Sequence, residues 1–120
     1  MAKRALVIED EVNIASLITE IMSISQVDAV HALSGSEGLK KLAAESFDFV
    51  LIDISLPDAN GLELYEQITV LQPELKENIA FMSGYTPDRK LERFLARTKS
   101  SFTQKPFQIE EFQELLKQMI

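Results

Sequence analysis

The chain has 120 residues, 46% of them hydrophobic, with 19 acidic and 12 basic side chains for a net charge of −7. This length and apolar content predict one folded domain, and the negative charge argues against direct nucleic-acid binding, which depends on Lys and Arg at phosphates. The apolar runs reach four residues where a membrane span needs roughly 18, and there is no cysteine, so we expect a cytoplasmic protein without membrane segment, disulfide or thiolate metal site.

Short strand-like runs alternate with longer segments of helical period along the whole chain. The predicted strands are Ala5–Ile8, Val27–Leu33, Phe49–Asp53, Ile79–Met82 and Phe102–Gln104. In each following segment, apolar residues recur every three or four positions, as on the buried face of a helix. Five such β-then-α units predict an α/β fold with a parallel sheet, covered by helices on both faces. We expect a flavodoxin-like, doubly wound (βα)5 domain with strand order 2-1-3-4-5 over residues 1–120.

Local motifs predict where two of the helices begin. Ser34 and Glu37 have the spacing of a capping box, which predicts the start of the second helix. Thr86 and Pro87 resemble an N-cap followed by proline at the first helical position, which predicts the start of the fourth helix. That helix is expected to bury its apolar residues, Leu91, Phe94 and Leu95.

Polar side chains follow four of the predicted strands at their carboxyl ends, where open α/β sheets bind ligands. They are Glu9 and Asp10, Asp53, Ser83 and Lys105. A single acid after a strand is most often a helix cap, a role open to Asp10 or Glu11 in the first helix. Asp53 is harder to explain in this way, because it ends an apolar run in which an unpaired carboxylate is costly.

Several carboxylates in one cleft repel each other, so this site must take up protons or a cation. An all-oxygen set without cysteine or a nearby histidine suits a hard divalent ion, above all Mg²⁺. Asp53 could then act as a nucleophile towards a phosphoryl group, with Lys105 as a positive point charge and Ser83 as a hydroxyl donor. His31, in the second strand, has no recognisable catalytic partner and is interpreted as structural.

Four segments together resemble the receiver domain of two-component response regulators, the family of the chemotaxis response regulator. Ser83 follows Asp53 by 30 residues and Lys105 follows Ser83 by 22, as in that family. The segments, taken in order, are ALVIEDE (5–11), FDFVLIDISLPDANGLEL (47–64), IAFMSGY (79–85) and FTQKPF (102–107).

The resemblance assigns a metal site and a phosphoacceptor. It implies that Asp53 accepts the phosphoryl group and that Glu9 and Asp10 hold Mg²⁺ together with Asp53 and the backbone carbonyl of Ser55. Glu9 stands where Asp is commoner in the family, so its carboxylate reaches one methylene further.

The resemblance also assigns residues that respond to the phosphoryl group. Ser83, where the family more often has Thr, would contact the group, and so would Lys105, whose bond to Pro106 is expected to be cis. Phe102, where the family has Tyr, is the expected aromatic switch. Tyr85, two residues after Ser83, is expected to slow hydrolysis by restricting water.

The implied function is that of a signalling domain, not an enzyme in its own right. The expected donor is the phosphohistidine of a histidine kinase or a histidine phosphotransfer protein. The expected output face is formed by the fourth helix, the fifth strand and the fifth helix. Two copies of the chain could also form a homodimer through this face. Arg89, Arg93 and Arg97 line the fourth helix at four-residue spacing, although such a charge run is more often a solvated face than an output surface.

Two other functions stay open at this point. One is a protein-interaction module of the same fold that is never phosphorylated. The other is a Mg²⁺-dependent phosphohydrolase of the haloacid-dehalogenase type, which would need a second acid where this chain has Ser55. The apolar end of the chain, Met119 and Ile120, slightly favours a domain trimmed from a larger protein over a complete small one.

Overall fold

A computed structural model describes residues 3–120, so Met1 and Ala2 of the expected domain lie outside the described residues. Over this range the chain forms one parallel sheet of five strands with five α-helices and a short 3-10 helix, Pro73–Leu75. The strands are β1 (Lys3–Ile8), β2 (Val27–Ala32), β3 (Phe49–Asp53), β4 (Ile79–Ser83) and β5 (Ser101–Gln104). The helices are α1 (Val12–Ile24), α2 (Gly35–Ala44), α3 (Gly61–Leu71), α4 (Arg89–Thr98) and α5 (Ile109–Met119).

The strand order in the sheet is β2-β1-β3-β4-β5, which confirms the predicted fold. Successive side chains of a strand point to opposite faces, so each strand contributes to two cores. Leu6 and Ile8 of β1 pack with α2, α3 and α4 on one face, whereas Ala5 and Val7 pack with α1 and α5 on the other. The order reverses between β1 and β3, so a crevice opens at their carboxyl ends.

The capping box predicted for α2 is present. The Ser34 hydroxyl accepts a hydrogen bond from the Glu37 amide at 3.1 Å, and the Glu37 carboxylate accepts one from the Leu33 amide at 3.1 Å. Two backbone donors at the start of the helix are thereby satisfied, which explains why α2 begins at Gly35.

The predicted start of α4 is wrong by two residues. The N-cap is Asp88, whose carboxylate accepts the Leu91 amide at 2.8 Å, and the helix begins at Arg89. A carboxylate is a stronger cap than the Thr86 hydroxyl because it also interacts favourably with the helix dipole. Thr86 instead lies 3.4 Å from the side-chain amide of Gln104 in β5.

The burial predicted for α4 is correct for one of its three apolar residues. Phe94 is buried, whereas Leu91 and Leu95 are half-buried. In the described part of the chain, no helix combines the length and the apolar character needed to cross a membrane.

Candidate functional site

The ends of β1 and β3 lie side by side because Ile8 pairs with Ile52 in the sheet register. Glu9 follows Ile8 and Asp53 follows Ile52, so both carboxylates enter the crevice at the same level. The Glu9 backbone is held by its amide, which donates to the Ala32 carbonyl at 3.0 Å. One carboxylate oxygen from each of Glu9, Asp10 and Asp53 lies within 4.8 Å of the others. The predicted convergence of the three acids is therefore present.

Lys105 reaches into the same crevice from the end of β5. Its Nζ lies 2.8 Å from Glu9 Oε1 and 3.0 Å from Asp53 Oδ2. Its backbone amide donates to the Ser83 carbonyl at 2.7 Å, and its bond to Pro106 is cis, as expected. One cation thus bridges two buried carboxylates.

Glu9 carries most of the electrostatic cost of this arrangement. It is 0% exposed, and its Oε2 is the one buried side-chain oxygen or nitrogen among residues 3–120 without a hydrogen-bond partner. Burial and the neighbouring Asp53 carboxylate raise the pKa of Glu9 to about 8, although Lys105 acts in the opposite direction. At neutral pH, and with no cation bound, Glu9 therefore holds a proton.

Asp53 is the ionised member of the pair. Burial alone raises its pKa, but the interactions with Glu9, the Ser55 amide and Lys105 outweigh burial and hold that pKa below its ordinary value. The Ser55 amide donates to Oδ1 at 2.9 Å, so each carboxylate oxygen of Asp53 has its own donor. The pKa of Lys105 is lowered by burial but raised, on balance, by its two carboxylate partners. The resulting charge distribution is a negative Asp53, a positive Lys105 and a neutral Glu9.

The donor set fits a hard divalent cation. Three carboxylates from Glu9, Asp10 and Asp53 supply oxygen ligands, and the buried Oε2 of Glu9 gains a partner only if a proton or a cation is present. Asp10 is more open to solvent than the other two. Glu11 occupies the N-cap position of α1, but neither of the two predicted caps is confirmed: within the described residues the Glu11 side chain makes no capping bond.

The site opens to solvent through a cleft of about 660 Å³. Its polar lining includes Asp10, Asp53, Ser55 and Lys105, and Tyr85 stands at its edge with 74% of its surface exposed. The cleft is therefore large enough to admit a phosphoryl group together with part of its donor.

Two further predicted residues lie outside the lining of this cleft. Ser83 is buried, its hydroxyl accepts the Tyr85 amide at 3.1 Å, and it lines an adjoining pocket of about 350 Å³. Phe102 is half-buried and packs against the core on the α4 side of the sheet. The structure describes where these residues lie, and their roles stay predictions.

Residues 5–117 match the family described as the response regulator receiver domain. The chain belongs to this family. It is therefore a receiver domain of the two-component type, a signalling domain, and the predicted resemblance is confirmed.

Individual relatives of this receiver domain are distant. Transcriptional regulatory protein CrdR of Helicobacter pylori is 23% identical over 98% of this chain and 54% of its own length. Sporulation initiation phosphotransferase F of Bacillus subtilis is 22% identical over 100% of this chain and 95% of its own length. A solved CheY-like receiver domain protein from Methanospirillum hungatei has a TM-score of 0.87 at 28% identity, with 98% of this chain and 93% of that one covered. The chain thus spans about half of CrdR and nearly all of phosphotransferase F.

Two residues support the receiver site through contacts that were not predicted from the sequence, although His31 was correctly interpreted as structural. The His31 ring donates from Nε2 to the Glu9 carbonyl at 2.8 Å, so it helps to hold the backbone at the end of β1. Asp58, between β3 and α3, accepts hydrogen bonds from the Gly35 and Ser36 amides of α2. Both contacts join segments more than twenty residues apart, which periodicity and motif spacing do not report.

Proposed function

We propose that this receiver domain accepts a phosphoryl group on Asp53 from the phosphohistidine of a histidine kinase or a histidine phosphotransfer protein. The observation that carries the proposal is the geometry of Asp53, whose two carboxylate oxygens accept hydrogen bonds from the Ser55 amide and from Lys105 Nζ. A carboxylate oxygen of Asp53 attacks phosphorus, an O–P bond forms, and the P–N bond to the donor imidazole breaks. The leaving imidazole keeps the electron pair of that bond and takes up a proton.

Glu9, Asp10, Asp53 and the Ser55 carbonyl are the proposed ligands of Mg²⁺. When bound, the ion would neutralise the carboxylates and the oxygens of the transferring phosphoryl group. Because the pKa of Glu9 is raised to about 8, metal binding at neutral pH is expected to release a proton from this side chain. Lys105 can then exchange a contact with Glu9 for one with a phosphoryl oxygen.

The proposed switch runs from Ser83 through the loop between β4 and α4. The Ser83 hydroxyl accepts the Tyr85 amide, so a rotation of Ser83 towards the phosphoryl group frees the start of this loop. Phe102, half-buried next to α4, is the proposed aromatic element that follows. A local change of charge would thereby shift the face formed by α4, β5 and α5.

The proposed output surface is this same face. Arg89, Arg93 and Arg97 are exposed on α4, and Glu110, Glu111 and Glu114 are exposed on α5. Opposite charge on adjacent helices makes a symmetric pairing of two copies electrostatically favourable, which supports the expectation of a homodimer.

Intact mass spectrometry after incubation with acetyl phosphate and Mg²⁺ tests the proposal. We expect one acid-stable, base-labile adduct on the wild type, none on Asp53→Asn, and a normal adduct on the control Asp28→Asn, which changes an exposed acid. Circular dichroism checks that the variants keep their fold. Labelling of Asp53→Asn at the wild-type rate would contradict the assignment. A wild type that takes no adduct would favour the interaction module, and rapid multiple turnover would favour the phosphohydrolase.

A further inference from the structure

The loop between β3 and α3, residues 54–60, is closed at its base. An antiparallel bridge joins Ser55 to Asn60, and the Gly61 amide donates to the Ile54 carbonyl at 3.2 Å. A Cβ on Gly61 would lie 2.8 Å from the Ile54 Cα, so this closure depends on glycine. The loop begins directly after Asp53 and therefore carries Ser55 as part of a compact unit.

Asp58 joins the other end of this loop to the first turn of α2. Its Oδ1 lies 3.0 Å from the Gly35 amide and its Oδ2 lies 3.1 Å from the Ser36 amide. The first backbone amides of a helix have no partner within the helix, so a carboxylate there satisfies two donors and meets the positive end of the helix dipole. These two hydrogen bonds hold the pKa of Asp58 below its ordinary value, which keeps the carboxylate ionised.

The loop and α2 also pack closely together, because Gly35 has no side chain of its own. A Cβ built on Gly35 would lie 2.7 Å from Ala59 Cβ and 3.2 Å from Leu64 Cδ1. Gly35 is buried, so the backbone of the first helical turn rests on the tip of the loop. The Asp58 contact and the Gly35 contact are neighbours and constrain the same segment.

We propose that Asp58 is a positioning residue, which fastens the 54–60 loop to α2 and thereby fixes the Ser55 backbone against Asp53. Ser55 donates its amide to Asp53 Oδ1 at 2.9 Å, and its carbonyl is a proposed Mg²⁺ ligand. The functional part of this inference rests on the proposed phosphoacceptor role of the site. Residues that orient metal ligands typically change metal affinity or activity by about 10–100-fold when they are removed.

The matched pair Asp58→Ala and Ser34→Ala separates positioning from helix stability. Both variants remove a side-chain cap from the start of α2, but only Asp58→Ala detaches the loop. Calorimetry is expected to show Mg²⁺ binding about tenfold weaker in Asp58→Ala, at the lower end of the range for such residues, and close to wild type in Ser34→Ala. Phosphorylation by acetyl phosphate at a fixed, subsaturating Mg²⁺ concentration should slow in the same order.

The amide resonance of Ser55 in a ¹⁵N–¹H spectrum is a readout that helix stability alone does not move. We expect it to shift in Asp58→Ala, to shift less in Asp58→Asn, which keeps one acceptor oxygen, and to stay in place in Ser34→Ala. Gly35→Ala, which forces the loop away from α2 and leaves the carboxylate intact, should shift it as well.

Two results would overturn the inference. One is an unmoved Ser55 resonance in Asp58→Ala, and the other is an equal effect of Asp58→Ala and Ser34→Ala on Mg²⁺ affinity. Failure of the proposed function has a different signature: the wild type would take no phosphoryl adduct, whereas the Ser55 resonance would still report whether Asp58 positions the loop.

Discussion

Glu9 and Asp53, at the ends of β1 and β3, are 0% and 4% exposed and share one lysine, whereas the buried residues of α4 are Phe94 and Thr98. In the first region the burial of charged groups costs free energy, and short hydrogen bonds from Lys105 offset that cost. The second is an exposed, basic helix, and its ion pair between Arg97 and Glu66 measures 3.8 Å with both partners well exposed. Elements with little buried apolar surface open at low free energy. We therefore expect the carboxylate site to be the more rigid of the two regions and α4 to be the more easily displaced, as the proposed switch requires.

The two regions meet at the end of β4. The Ser83 carbonyl accepts the Lys105 amide at 2.7 Å, and the Ser83 hydroxyl accepts the Tyr85 amide at 3.1 Å. Ser83 therefore contacts the carboxylate site through its backbone and the loop between β4 and α4 through its side chain.

Lys105→Met is the strongest test of the carboxylate site. The substitution keeps much of the side-chain bulk but removes the charge next to Glu9 and Asp53. We expect the rate of phosphoryl uptake to fall by about 10²–10³-fold, as when one preorganised donor is removed from an active site. Intact mass spectrometry at fixed Mg²⁺ and acetyl phosphate measures this rate. Lys117→Met is the control, since that lysine is 73% exposed on α5. A wild-type rate in Lys105→Met would show that the lysine only stabilises the fold.

Glu9→Gln tests the electrostatic cost of the site through pH. The pKa of Glu9 is raised from its ordinary value of 4.5 to about 8 in the folded protein, so between these two values the folded state binds a proton that the unfolded state has lost. The stabilisation that the Glu9 proton gives the folded state is fully present below pH 4.5 and is lost as the pH rises towards 8. The pKa of Asp53 is lowered, so its contribution to stability changes at a pH below this range. The pKa of Lys105 is raised, so its contribution changes at a pH above this range.

Without a divalent ion, the wild-type free energy of unfolding should therefore fall by a few kcal/mol between pH 5 and 8, at about 1.4 kcal/mol for each pKa unit. Urea denaturation in EDTA measures this fall. Glu9→Gln should nearly abolish it, and the control Glu11→Gln, an exposed neighbour, should retain it. An unchanged pH dependence in Glu9→Gln would mean that Glu9 does not hold the proton.

Tyr85→Ala tests the junction between the two regions. Tyr85 lines the cleft of Asp53 and Lys105, and it belongs to the loop that Ser83 contacts. Removing the ring admits water, so we expect the phosphoryl adduct to decay about threefold faster. The decay is followed by mass after acetyl phosphate is removed. Tyr85→Phe keeps the ring and should keep the lifetime. Equal lifetimes in Tyr85→Ala and the wild type would contradict the shielding role.

The sequence predicts the carboxylate site well because the site follows from topology. Parallel strands bring their carboxyl ends to one edge, so acids after two buried runs must meet if those strands are neighbours. Glu9 and Asp53 follow this rule, and Lys105 reaches them from the last strand of the same edge. The resemblance to receiver domains adds residue roles to this geometry, but the convergence itself needs only the pattern of strands and charges.

The supporting contacts were missed because they depend on the packing of distant segments. Asp58 is a residue type that is common in turns, and it caps a helix here only because α2 packs against its loop. His31 meets the Glu9 carbonyl because β1 and β2 end at the same level. The misplaced start of α4 has a local cause: Thr86 and Asp88 are both competent caps, and the carboxylate forms the better one.

Arg97→Ala tests the exposed α4 region and has the smallest expected effect. The Arg97 guanidinium lies 5.2 Å from the centre of the Phe94 ring and 3.8 Å from Glu66, and both contacts are open to solvent. Exposed ion pairs and cation–π contacts each contribute about 1 kcal/mol or less, so urea denaturation should show a loss of that order. Phosphoryl uptake should be unchanged, because Arg97 lies outside the cleft. The loss should shrink in high salt, which screens exposed charge. A loss above about 2 kcal/mol would exceed what such contacts provide and would mean that α4 is held as firmly as the site.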